Sequence, residues 1–239
     1  IPISAQSGLN IDALIGAIES TIKTPERNEK ADTVMHVLRS FDVNKPGIKL
    51  KDIKGGVIGG SLTQGIFNIG DEIEIKPGLM NEKKKSYEPI LTEITSLGTA
   101  AGIVESVKPG GLVAIGTKLD PSMTRSDSFI GSVIGKPGTL PDNSTLLKLD
   151  VNLFDSAVGS AVGSAVDSTE DLQVKPIQTG ELLRLNIGTA PVLGKVTKVK
   201  SSNIEIELRR PACIFEDGHV AISRRIAERW RLIGAGIVG

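Results

Sequence analysis

Residues 54–78 read KGGVIGGSLTQGIFNIGDEIEIKPG, a glycine-rich tract that runs into a strict alternation, Asp71-Glu72-Ile73-Glu74-Ile75. Period-two alternation is strand texture, because successive strand side chains leave on opposite faces. Gly55, Gly56, Gly59 and Gly60 therefore need a reading compatible with sheet. A phosphate-cradling loop requires a lysine and a Ser or Thr after its last glycine, then a helix. Here Ser61 follows Gly60 with no lysine, and no helical spacing comes next. A dinucleotide loop fails for the same lack of a helix. Glycine in a strand marks a bulge, a barrel corner, or a place where another backbone or a ligand comes close. Barrel closure suffices for Gly59 and Gly65 and accounts less readily for glycines in pairs. PGGLVAIGT, 109–117, with Gly110, Gly111 and Gly116, is a second glycine-rich strand start. Two bare stretches on one barrel suggest a face on which something docks; turn geometry and a docking face both stay open.

Aromatic residues are scarce, with Tyr87 and Trp230 the single members of their types. The core must then rest on Val, Ile and Leu, a β-branched bias that favours sheet. The 239 residues suffice for two barrels of ordinary size. Formal net charge is zero, so nucleic-acid binding has to come from a local patch. The lone cysteine, Cys213, excludes an internal disulfide and suits a reducing compartment; it reads as a small core residue. No apolar run has transmembrane length and no signal peptide is visible, so a soluble, cytoplasmic chain is expected, with no membrane partner.

The chain opens IPISAQSGLNID, without Met, and reads as a piece of a longer protein. Ile1–Ser4 reads as a strand end. Asn10 is placed as an N-cap, Ile11, Leu14, Ile15, Ile18 and Ile22 keep helical spacing, and Pro25 is expected to end the helix. Such a unit cannot cover its own apolar stripe, so 1–24 is expected to close an α/β domain. The polar tract 25–32 reads as a linker. Strand candidates then follow at 34–39, 57–67, 72–75, 90–97, 112–116 and 129–134. After KPGTLPDN they resume at 146–154, 181–187, 194–200, 204–209, 219–223 and 230–238. The expected fold is mainly β, two consecutive barrels over 33–137 and 138–239. The repeats in DSAVGSAVGSAVDSTED, 155–171, read as a loop insertion.

RSFDVNKPG, 39–47, reads from its turn formers as a solvated loop edged by Arg39 and Lys45. ISRRIAERWRLIG, 222–234, clusters Arg224, Arg225, Arg229 and Arg231 around Trp230. If it is a strand, Trp230 faces opposite to Arg229 and Arg231, so the tryptophan is core and the arginines are surface, open to RNA or a neighbouring domain. Catalysis finds little footing. His36 and His219 are the only histidines, neither lies in a metal-spaced cluster, and no nucleophile elbow is present. The carboxylates alternate along strands as on a solvated barrel face.

RSFDVNKPG, KGGVIGGS, GDEIEIKPG, PGGLVAIGTKLDP, RSD (125–127), ISRRI and RWRLIG resemble the gamma-subunit family of archaeal and eukaryotic translation initiation factor two. The likeness covers nearly the whole chain. It implies a GTPase domain followed by two barrels of the translation-GTPase type. Ser4, Ala5 and Gln6 would match the last guanine-recognition motif, and 10–24 the closing helix of that domain. The P-loop, the switches and the zinc knuckle would lie upstream. The resemblance implies GTP with Mg in the intact protein, no cofactor on these residues, and no GTP hydrolysis by them alone. The implied cargo is initiator methionyl-tRNA, delivered to the small ribosomal subunit. The alpha subunit would sit on the first barrel and the beta subunit on the GTPase domain. For the tRNA 3′ end the resemblance points to Gly55, Gly56, Gly59, Gly60, Gly110, Gly111 and Gly116 as a bare wall. Arg39 and Lys54 would lie near phosphates, and Arg224, Arg225 and Arg231 are further RNA candidates. Residues 155–171 depart from the family, where a charged segment is expected. Two alternatives stand beside this reading: an elongation-factor-type carrier, for example of selenocysteyl-tRNA, and a scaffold that assembles subunits without touching RNA.

Overall fold

The computed structural model of the chain describes residues 1–158, 173–226 and 228–239. Helix α1 (Ile11–Thr21) comes first. The strands of the first half are β1 (Val34–Phe41), β2 (Val57–Gln64), β3 (Phe67–Asn68), β4 (Glu72–Asn81), β5 (Ser86–Thr99), β6 (Gly102–Val104), β7 (Ser106–Val107), β8 (Leu112–Thr117) and β9 (Val133–Gly135). Those of the second half are β10 (Asn143–Val158), β11 (Leu182–Ile187), β12 (Ala190–Lys200), β13 (Asn203–Cys213), β14 (His219–Ile226) and β15 (Arg229–Val238).

The first barrel runs β4-β9-β1-β2-β8-β5 and closes through β4–β5, with β6 added outside β5. The second closes as β10-β13-β12-β11-β14-β15. The mainly β, double-barrel architecture expected from the sequence is thus observed. Closure removes the unpaired edges that an open sheet of this composition would present. β13 shows how the pattern makes the element. Ile204, Ile206 and Leu208 turn inward, while Glu205 and Glu207 stay outside. Each barrel owns a core: Met35, Ile58, Phe67, Ile73, Ile94 and Ile115 fill the first, Leu147, Leu185, Val196, Ile206 and Ile222 the second. A third cluster, Val34, Val133, Leu140 and Cys213 with Phe215 against it, lies where the barrels meet. Cys213 is buried there, at the seam between the barrels.

Several local expectations are corrected. Residues 1–4 form no strand; Ser4 makes only an isolated bridge to Leu9, since a strand needs a partner to be one. Asn10 does precede α1, but in the left-handed conformation and without capping it. Its Nδ2 instead donates to the Pro2 carbonyl at 2.9 Å. The helix stops at Thr21, four residues before Pro25, as Ile22 turns extended. No residue of α1 is buried, and Ile15 and Ile18 stay exposed. Phe129 lies in a turn, and β9 starts only at Val133. Asp155–Val158 extend β10, where the sequence suggested a loop; 159–171 lie outside the described residues. Glu74 is no solvated carboxylate: it is 8% exposed beside Lys76 at 6%. Lys76 Nζ donates to the Leu140 and Pro141 carbonyls at 3.1 Å each, and the Gly138 amide donates to Glu74 at 3.1 Å. The connection between the barrels folds over both.

Candidate nucleic-acid interface

The candidate site is the outer face of β1-β2-β8-β5, with the β1–β2 loop beside it. Pairing lines up two rows of outward residues. One is Arg39, Gly59, Ala114 and Gly98; the other is Phe41, Val57, Gly116 and Ser96. Side chains are missing or small across three strands, so the sheet presents backbone. A groove of about 570 Å³ opens along the second row, lined by Lys54, Gly55, Val57, Ser96, Gly116 and Lys118 among others.

The β1–β2 loop is solvated, as its sequence suggested, but it is braced. Asn44 closes its neck. Its Nδ2 donates to the Lys54 carbonyl at 2.7 Å, and its Oδ1 accepts the Lys54 amide at 2.8 Å. Asp42 Oδ1 accepts the Asn44 amide and side chain at 2.9 and 2.8 Å. Arg125 grips Asp42 Oδ2 through Nε at 3.1 Å and Nη2 at 2.9 Å. Arg39 Nε donates to Asp127 at 2.9 Å, and the Ser40 amide donates to the same oxygen. RSFDVN and RSD thus interlock crosswise, Arg39 to Asp127 and Arg125 to Asp42. These bonds hold both carboxyls below the usual range, in each case led by the backbone amide that each accepts. Each motif carries one arginine and one aspartate, but only the fold brings these partners, 83 and 88 residues apart in the chain, into contact.

Beyond the neck the loop is exposed and two-natured. Lys45, Lys49, Lys51 and Lys54 stand with Ile48, Leu50 and Ile53, and Leu50 is 89% exposed. None of these lysines has an ion pair among the described residues. Arg39 uses only Nε on Asp127, and its side chain remains 68% exposed.

The glycines divide in a way the sequence did not foretell. A Cβ at Gly55 would stand 1.9 Å from the Thr117 carbonyl oxygen, and one at Gly60 2.1 Å from the His36 carbonyl oxygen. At Gly56 it would meet Thr124 Cγ2 at 2.3 Å, and at Gly116 Ser96 Oγ at 2.3 Å. Thr124 is fully buried, its hydroxyl donating toward Phe41 and Pro121 carbonyls. Gly55, Gly56 and Gly60 are therefore bare because their own barrel crowds them. Gly59, which closure was to explain, has no neighbour closer than 3.8 Å. Gly110 and Gly111 sit in an exposed turn with open space around them. They enter β8 at the end away from the groove, roughly 17 Å from Gly116 by strand rise.

The arginine cluster belongs to the second barrel. Arg224 is largely buried and donates to Glu181, through Nε and, at 3.1 Å, Nη2, and to the Lys175 carbonyl at 2.7 Å. Arg225 is exposed and bonds Glu228. Arg231 is only 5% exposed, on the same face of β15 as buried Ile233, while Trp230 is half-buried and lies across from Arg225. Trp230 and Arg231 thus depart from the expected orientation, while Arg229 is exposed as expected. Next to the tryptophan the strand's phase follows Ile233 into the core, so Trp230 takes the other side; past a register shift at 232–234 the buried positions become Gly234, Gly236 and Val238. Ser4, Ala5 and Gln6 are at the surface beside α1.

Among the described residues no His, Cys, Asp and Glu cluster has the geometry to hold a metal ion. No helix among them is long and apolar enough to cross a membrane.

Residues 145–238, which form nearly all of the second barrel, match the family model "Initiation factor eIF2 gamma, C terminal". The whole chain is 49% identical over 238 residues to the translation initiation factor 2 subunit gamma of Archaeoglobus fulgidus, of which it covers 54%. It is 50% identical over 240 residues to that of Pyrococcus furiosus, covering 56%. It is 46% identical over 240 residues to that of Methanocaldococcus jannaschii, covering 56%. The chain spans about half the length of the curated relatives it matches. With identity of this order along its full length, and the family-model match over the second barrel, the chain belongs to the gamma-subunit family of archaeal and eukaryotic translation initiation factor two.

Proposed function

We propose that this chain is the tRNA-end and subunit-docking part of a translation initiation factor. In the intact factor, GTP with Mg on the GTPase domain would press that domain toward the first barrel and complete a pocket for the 3′ end of initiator methionyl-tRNA. Hydrolysis would release the tRNA at the small ribosomal subunit. This is a domain-rearrangement switch. The alpha subunit takes the first barrel and the beta subunit the GTPase domain; the setting is the cytoplasm.

One observation carries the reading: a groove of about 570 Å³ beside a braced loop that holds exposed lysines. Its floor carries small or absent side chains, so a flat base or a methionyl group can press close against the sheet there. The lysines and the outer nitrogens of Arg39 suit phosphates, which position an RNA. Lys54 and Gly116 line this groove, and Gly59 and Arg39 form the row of the same face beside it. Gly55, Gly56 and Gly60 serve its frame, and Gly110 and Gly111 lie at the strand's other end. Arg224 and Arg231 are occupied in the second barrel's own structure, which leaves Arg225 and Arg229 as the accessible arginines of this cluster.

The test is affinity for initiator methionyl-tRNA in the intact, GTP-loaded factor carrying Gly59→Val. A Cβ at this position meets nothing closer than 3.8 Å, so folding should be kept while affinity falls at least tenfold. Unchanged affinity in the folded variant removes the site. A calorimetric titration with the alpha subunit tests the docking half: one-to-one binding supports it, and no binding to the folded chain favours the elongation-factor-type carrier. The scaffold reading predicts alpha binding with no effect of Gly59→Val on tRNA.

A further inference from the structure

A cavity of about 160 Å³ lies in the seam between the barrels. His36 and Val133 of the first barrel form one wall, and Gly188, Phe215 and Val220 of the second form the other. Among the described residues no lysine, arginine, aspartate or glutamate lines it. A cavity of about this size has room for one benzene-sized ring, and His219, which is exposed, lines its mouth.

Three features shape what fits. The His36 and Phe215 rings meet edge to face, with centroids 6.1 Å apart and planes at 62°. A third ring can join such a pair through the same geometry. Gly188 keeps the space open, since a Cβ there would stand 2.9 Å from His36 Nδ1. Burial lowers the His36 pKa, so at pH 7 the imidazole is neutral, with one nitrogen to donate and one to accept. Cys213 also lines the cavity, but burial pushes its thiol up to about 11 and Sγ points at the Pro141 carbonyl, 3.5 Å away. Ligands here are held without a covalent bond.

We propose that the inter-barrel cavity is a binding site for a small, uncharged, single-ring aromatic molecule with one hydrogen-bonding group, seated against the His36–Phe215 pair. The walls come from both barrels, so an occupant ties them together and stabilises the chain by linkage. The site is separate from the groove proposed for tRNA and does not depend on that reading.

Phenol is the probe, titrated into the chain while the valine methyl resonances are followed, with toluene as the comparison. Saturable shifts at both Val133 and Val220 are expected, with a Kd of millimolar order or below. Ile187→Phe fills the cavity from its rim and should weaken phenol at least tenfold. His36→Leu keeps an apolar wall and should cut the preference for phenol over toluene at least fivefold. No saturable shift in the folded chain overturns the site, as do shifts confined to one barrel or full affinity in a folded Ile187→Phe. An unchanged phenol-to-toluene ratio in His36→Leu overturns the role given to His36.

Discussion

At Gly60 an added Cβ would stand 2.1 Å from the His36 carbonyl oxygen, a backbone atom of the neighbouring strand that cannot step aside. Gly60→Ala should therefore cost on the order of 3 kcal/mol in urea unfolding, the size of an overpacked core site. Gly59→Ala, with 3.8 Å of clearance, should change stability by under about 1 kcal/mol. Equal costs at the two sites would refute this division of the glycines. Titration offers a second residue-scale check. Asp42 and Asp127 have folded pKa values below their unfolded ones. Their contribution is present above the unfolded carboxylate range and lost as pH falls through the folded values. The Asn44 and Ser40 amides, bonded to these carboxylates, should shift together in an acid NMR titration with midpoints below the ordinary aspartate value. Asp42→Asn should abolish the Asn44 transition. Two glycines look alike in a sequence; the difference between them is the distance to an atom contributed by another strand.

Elements differ in how much of their form is local. Alternation placed β2, β8, β11 and β13 within a few residues, because a half-buried strand writes its two faces into its own sequence. The β1–β2 loop escaped, because its brace is made with Arg125 and Asp127, distant in the chain. Asn44→Ala should free the neck. The Lys54 amide should then exchange with solvent at least tenfold faster while β1 and β2 amides keep their protection. Helix α1 shows the opposite case: its spacing is legible, yet none of its 11 residues is buried. A helix of this length without packing is marginal in water. Its amides in this chain should show hydrogen-exchange protection orders of magnitude below that of β13; equal protection would mean that α1 is held by contacts the fold described above does not contain.

For the whole molecule the decisive contacts are those between barrels. Lys76 ties β4 to the inter-barrel connection through two carbonyls, with Glu74 at 3.9 Å and the Cys213–Phe215 segment close by. Lys76→Met would leave Glu74 buried with the Gly138 amide and no cation, at a cost of about 3 kcal/mol. The variant should also separate the unfolding of the two barrels, seen as non-coincident transitions of Trp230 fluorescence, from the second barrel, and total circular dichroism. A single coincident transition at wild-type midpoint would show that the seam does not rest on Lys76.

What the sequence determined by itself is the class of fold, the count of barrels and the family, because these follow from local alternation, glycine and proline punctuation, and long motifs read in order. The tertiary structure alone decided which glycines are crowded and which are open, that Glu74 and Lys76 are buried, that Arg231 turns inward, and that two charged motifs clasp each other. Each of these depends on the register of one strand against another and on the closure of a barrel. Register is a relation between distant segments, and no single stretch of the chain contains it.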